Sequence, residues 1–373
     1  MLKKSKLFFA GMILALSFIG CKATTDDGGD TPFYTATYEF HDTVTVLTGT
    51  DKNGTFGTDG DYVLFGDFPQ DVVPEANVKT LGLETSKTKV TRGYMEFVVG
   101  SDGNYYVKCT EKAYLNYKYL DNSDVKQGSK TSRWFKVMPI KWRVVDTAYT
   151  DAIGNEVGKL LVAENILTSN VPYFEDKENN RIIGTDTVYP NNYMHSQIRA
   201  YLNGLTYTGY DTTNSTNVDK TQWNEKGFLQ AAFDQTARDV INDTVVDNSE
   251  NSTTNYDTAN GSLEKATTYA CAPTTDKIFF LSEYEVTKYS RSTEGYNSNG
   301  RENSRIRVTT DFAKANYAYQ DNATDSGSWW LRSPFYSNSM YTVRCVGKGG
   351  YAGNEGGVNN AYRGIVPALS ISF

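Results

Sequence analysis

Two histidines and four cysteines are the residues of this 373-residue chain best suited to chemistry, and none stands in a catalytic spacing. His41 lies near the N-terminal end and His195 at the start of a helical stretch, so each reads as a structural or exposed imidazole rather than a general base. A Ser-His-Asp relay would have to recruit one of them. No G-x-S-x-G elbow, phosphate-binding glycine loop, C-x-x-C or H-E-x-x-H occurs. "GKGGYAG" (347–353) comes close to a dinucleotide fingerprint, but Ala352 stands where the last glycine belongs, and the stretch reads as a turn. Cys345 has no cysteine or histidine close in sequence and reads as a passive loop thiol. Carboxylates are many and scattered, with no pair marked out for glycoside hydrolysis. These residues point to no catalytic group, no metal ligand and no cofactor, and to a protein that is not an enzyme.

The positive signal is compositional. Residues 335–362 hold six Gly, four Tyr, four Asn and two Ser, the four types that enrich antibody combining loops. Tyrosine gives contact area at low entropic cost, and the other three give adaptable hydrogen bonds. A glycine-rich surface loop with no ligand fits the composition equally well. The flanks favour recognition: "WWLRSP" (329–334) and "RGIVPALSI" (363–371) read as rigid, with Trp329 and Trp330 in the core. Arg332 and Arg363 are placed to hold loop carbonyls.

The elements that would carry such a site can be read in outline. "DYVLFGDFPQ" (61–70) is an apolar strand that Pro69 should stop, and 94–99 and 105–109 flank a glycine-bearing turn as a hairpin. "IKWRVV" (140–145) buries Trp142, with 159–164 as its partner strand. Helices are expected over 194–204, ended by Gly204, and over about 226–241, where Phe228, Leu229, Ala232, Phe233 and Ala237 form one stripe. Residues 242–262 read as a long exposed loop and 277–282 as a buried strand. Ser282 and Glu285 form a capping box for a further helix. The terminal "ALSISF" alternates as a strand burying Leu369, Ile371 and Phe373. Short strands around a few helices, with long loops and no β-α alternation, give an α+β class.

Lys3, Lys4 and Lys6 precede an apolar run too short to span a membrane, and Gly20-Cys21 closes it. That is the pattern of a lipoprotein signal (1–20), with Cys21 the lipidated N-terminus, 21–57 a tether and 58–373 the domain. Loss of 1–20 leaves 34 basic against 44 acidic residues, a balance of −10 that disfavours nucleic acid. Cys109, Cys271 and Cys345 then remain, an odd count from which one pair could form.

The ordered set "FGDFPQ", "IKWRVV", "SQIRAYLNG", "TTDKIFFLS", "WWLRSP" and "GIVPALSI" resembles bacterial exported domains with a C-type lectin fold of the formylglycine-generating-enzyme-like type. With the lipoprotein start it is similar to the retroelement-diversified variable proteins of the Treponema type. The resemblance covers about 61–373, with 71–133 as a hairpin insertion and 329–368 as the variable ligand-binding segment. It implies a fixed frame of Trp329, Trp330, Leu331, Arg332, Ser333, Pro334, Gly364, Pro367 and Ala368. It implies variable, solvent-facing residues at Tyr336, Ser337, Asn338, Tyr341, Arg344, Tyr351, Asn354, Asn359, Asn360 and Tyr362. On that reading the chain is a monomer, lipid-anchored at the cell surface, that binds an unknown protein or surface ligand through its C-terminal loops. Neither Glu-Pro-Asn nor Gln-Pro-Asp occurs, against calcium-dependent sugar binding. Cys345 lacks the nearby second cysteine of the formylglycine-generating enzymes. An oxidoreductase of that type and a structural lipoprotein without a ligand remain the alternatives.

Overall fold

The computed structural model describes residues 38–47, 62–254, 265–290, 303–335 and 339–373. The signal, Cys21 and most of the tether lie outside these residues. The fold is mixed, built mainly of short antiparallel strands with few helices, as an α+β class requires. Among the described residues no helix is long and apolar enough to cross a membrane.

The spine is Ser132–Asp146, fifteen residues long, whose Phe135, Val137, Ile140, Trp142 and Val144 are buried. Tyr62–Val72 runs antiparallel along one edge, and the Trp142 indole N–H donates to the Phe65 carbonyl at 2.7 Å. The other edge is shared. Tyr105–Thr110 covers 132–136, Lys159–Ala163 covers 142–146, and Ala368–Ile371 pairs outside Lys159–Ala163. Met95–Val99 and Lys89–Arg92 continue the sheet beyond Tyr105–Thr110. Within 71–133, Lys89–Arg92, Met95–Val99 and Tyr105–Thr110 are strands of the main sheet, while Tyr117–Lys118 and Asp124–Val125 pair separately.

Several local readings hold. Gln197–Asn203 is capped by the Ser196 hydroxyl, which accepts from the Arg199 N–H, and ends at Gly204. The capping box of Ser282 and Glu285 starts Glu283–Tyr289. Others need correction. The strand does not stop at Pro69 but continues to Val72, because its register shifts beside Pro69, where a ladder tolerates a residue without an N–H. The stripe over 226–241 is two helices, Phe228–Ala232 and Gln235–Val240. Phe233 between them is extended yet fully buried against Phe65 and Trp142, and the Asp234 carboxylate accepts from the Ala237 N–H to open the second helix. Residues 278–282 are buried but, among the described residues, share only one bridge, Phe279 with Ala368.

The stretch 242–254 is built into the fold: Thr244–Val246 pairs with Thr274–Asp276, and Asn248, Ser252 and Thr253 are buried. In the last strand Ser370 is buried on the Thr244 hydroxyl, whereas Phe373 is exposed beneath the Lys159 ammonium. Residues 38–47 of the tether are also folded. Thr45–Leu47 pairs with 62–64, Phe40 stacks on Tyr105 at 4.5 Å, and His41 Nδ1 lies 3.0 Å from the buried Asp67 carboxylate.

Candidate combining site

The segment singled out by composition forms its own three-stranded antiparallel sheet, Trp329–Pro334, Thr342–Val346 and Asn354–Gly357. Trp329 and Trp330 are fully buried, as expected of core residues, and so is Leu331. The base is tied twice at Gly364. The Trp330 N–H donates to its carbonyl at 3.1 Å, and its own N–H donates to Ser328 at 2.7 Å. A Cβ there would stand 2.5 Å from the Ile166 side chain, so the close approach requires glycine.

Arg332 is the hub of the support. Its guanidinium donates to the carbonyls of Phe280 (2.6 Å) and Asp247 (3.0 and 3.2 Å) and pairs with Glu285. Burial alone would push the Glu285 carboxyl up, but Arg332 and the Ser282 N–H hold it below its usual value. Arg363 donates to the Glu355 carbonyl at 3.1 Å, the role expected of it.

The ten expected variable positions do not behave alike. Tyr341, Tyr351, Asn354 and Asn359 are exposed, and Asn360 and Tyr362 are half-buried. Tyr336, Ser337 and Asn338 lie outside the described residues. Arg344 contradicts the expectation. It is buried, its Nε stands 2.7 Å from the Glu283 carboxylate, its Nη1 donates to the Gly353 carbonyl at 2.7 Å, and its guanidinium covers the Phe335 ring. The sheet turns this side chain inward. Cys345 likewise sits in a strand, not a loop, and burial pushes its thiol up to about 11. Cys109, Cys271 and Cys345 are all free.

The exposed tyrosines do not meet at one point. Tyr341 precedes the five-residue strand Thr342–Val346 and Tyr351 follows it in the turn, so about 17 Å of strand separates the two ends. Each end is joined by tyrosines from outside the segment. Tyr362 stacks on Tyr114 (4.4 Å), which also meets Tyr317 and Tyr319 edge-on. At the other end Tyr189 packs against Tyr269, whose hydroxyl is pushed up by burial and then by Tyr189 and Tyr341. Tyr114, Tyr189, Tyr269, Tyr317 and Tyr319 escaped the reading of the sequence. Only "NYAYQ" (316–320) carried a compositional hint, and the long-range stacking left none.

Burial, then Arg181 and Arg199, hold His195 below its ordinary value. Among the described residues no three His, Cys, Asp or Glu side chains are grouped to hold a metal ion. A family model described as "Domain of unknown function (DUF6273)" matches residues 157–373, more than half of the chain. No curated protein and no solved structure matches.

Proposed function

Since the chain belongs to the DUF6273 family, whose description names no activity, we propose from the site itself that it is a surface-displayed binding protein whose C-terminal loops form a combining surface. In this reading Cys21 is lipidated, the mature protein is exported and anchored by that lipid, and it works as a monomer without a cofactor. The finer architecture we propose is a C-type lectin fold of the formylglycine-generating-enzyme-like type. The diversification we propose is by a retroelement, as in variable proteins of the Treponema type. The observation that carries the proposal is the contrast within one segment: a fully buried Trp329–Trp330 frame bears exposed Tyr341, Tyr351, Asn354 and Asn359. Rigid support lowers the ordering cost of binding, and exposed tyrosines supply anchors. The partner is a protein or other surface ligand.

The test is a Tyr341→Ala/Tyr351→Ala variant, compared with the parent for binding to a panel of bacterial and host cell surfaces. Loss of an anchor costs about 2 kcal/mol or more, roughly thirtyfold in affinity. The expected result is an unchanged melting temperature with binding lost. Equal binding by both proteins would sink the proposal.

A further inference from the structure

Met95–Val99 pairs with Lys89–Arg92 along its length, yet it meets Tyr105–Thr110 only at Val98–Tyr106 and Val99–Tyr105. Beyond those pairs the strands part, and 95–97 and 107–110 face one another with no ladder partner on that side among the described residues. Both walls are fixed. Residues 106–110 are paired with 132–136 on their far side. The tip of the 89–99 hairpin is pinned to Phe228–Ala232 by Gly93, whose φ is +56° and where a Cβ would stand 2.7 Å from the Ala231 nitrogen. The Tyr94 and Tyr201 hydroxyls, 2.7 Å apart, hold the same tip.

The result is a cleft of about 460 Å³ passing through the sheet, a volume within the usual range of ligand sites. Leu83 and Trp134 line it on one side of the sheet and Phe312 on the other, with Met95 and Cys109 at the parted strands. We propose that this cleft binds an extended, uncharged peptide segment as an added strand.

Three features select that occupant. Main-chain donors and acceptors recur on every second residue of each wall, which is what an added strand needs. The apolar residues lie above and below the sheet, matching side chains that alternate between its faces. The charges at the rim are already matched with each other, Lys89 with Glu96 at 2.7 Å and Lys108 with Glu84 at 2.8 Å, and so call for no charge on the ligand. None of the lining residues belongs to 329–368, so the inference stands apart from the combining surface.

Cys109 supplies the readout. The whole chain is alkylated with a maleimide, with and without an acetylated, amidated hexapeptide of alternating valine and threonine at about 1 mM. Modification of Cys109 and Cys271 is followed by mass spectrometry. We expect the peptide to slow modification of Cys109 several-fold and leave Cys271 unchanged. The same peptide N-methylated at alternate residues, which removes donors along one edge, should bind at least about tenfold more weakly. No protection of Cys109 overturns the proposal. Equal protection by the two peptides does so as well, and makes the cleft a site for apolar molecules.

Discussion

Replacing Arg344 by serine, a change expected to be harmless at a solvent-facing variable position, should instead damage the fold. The Arg344 and Glu283 side chains are each at least nine-tenths buried and stand 2.7 Å apart. Removing one partner of such a pair leaves the other buried without its counter-charge, which costs about 3–5 kcal/mol. The bond to the Gly353 carbonyl disappears with the same side chain, so its loss falls within that figure. Unfolding entropy of about 2.1 cal/mol/K per residue over the domain from 62 to 373 gives roughly 0.65 kcal/mol/K. Arg344→Ser should therefore lower Tm by about 5–8 °C. Adding Glu283→Gln removes the stranded charge and should restore about half of the loss. Differential scanning calorimetry on the parent, Arg344→Ser and the double variant measures both effects. A fall under about 1 °C for Arg344→Ser, the size of an exposed-site change, would refute the buried clamp and return position 344 to the combining surface.

Trp330→Ala should cost about 3–5 kcal/mol while Tyr351→Ala stays within about 0.5 kcal/mol, and comparable losses in chemical denaturation would mean that frame and loop have been confused. The hydrogen bond to Asp67 raises the His41 pKa above 6.5, against an opposing effect of burial. The stabilisation is therefore complete below the unfolded value of about 6.5 and is lost as pH rises through the raised folded value. Melting curves at a series of pH values should show this loss in the parent and not in His41→Gln; identical pH profiles would refute a stabilising His41–Asp67 pair.

Signals confined to a few neighbouring residues were legible in the sequence. Ser282 with Glu285, the helix end at Gly204, and the glycine-bearing turn before Tyr105 each depend on contacts within a handful of positions, and each appears as read. Phe233 shows where such reasoning stops. Its apolar character announced burial correctly, but whether it is buried from a helix or from extended backbone was settled by Phe65 and Trp142, distant in the chain. Ser370 is similar: a polar residue in an alternating strand reads as outward until Thr244 provides a buried partner. In the site, composition separated frame from loops but could not tell which arginine faces water. Arg344 and Glu283 are 61 positions apart, and neither carries a local sign of the other.

The double tie at Gly364 has a consequence for length as well as identity. Trp330 and Ser328 meet Gly364 through main-chain hydrogen bonds, so the span between them is a closed excursion whose ends are held by backbone as well as by the Arg332 and Arg363 side chains. Closing a longer excursion between fixed ends is cheap, since each doubling of a flexible loop adds only about 0.6 kcal/mol. In the turn at 347–353 the Gly353 carbonyl is held by Arg344 and Ala352 is buried, so the place where residues can be inserted with the sheet below undisturbed is the tip between the exposed Lys348 and Tyr351. If the loops bind as proposed, a surface built this way can change its reach, from a flat patch to a projecting finger, without a new scaffold.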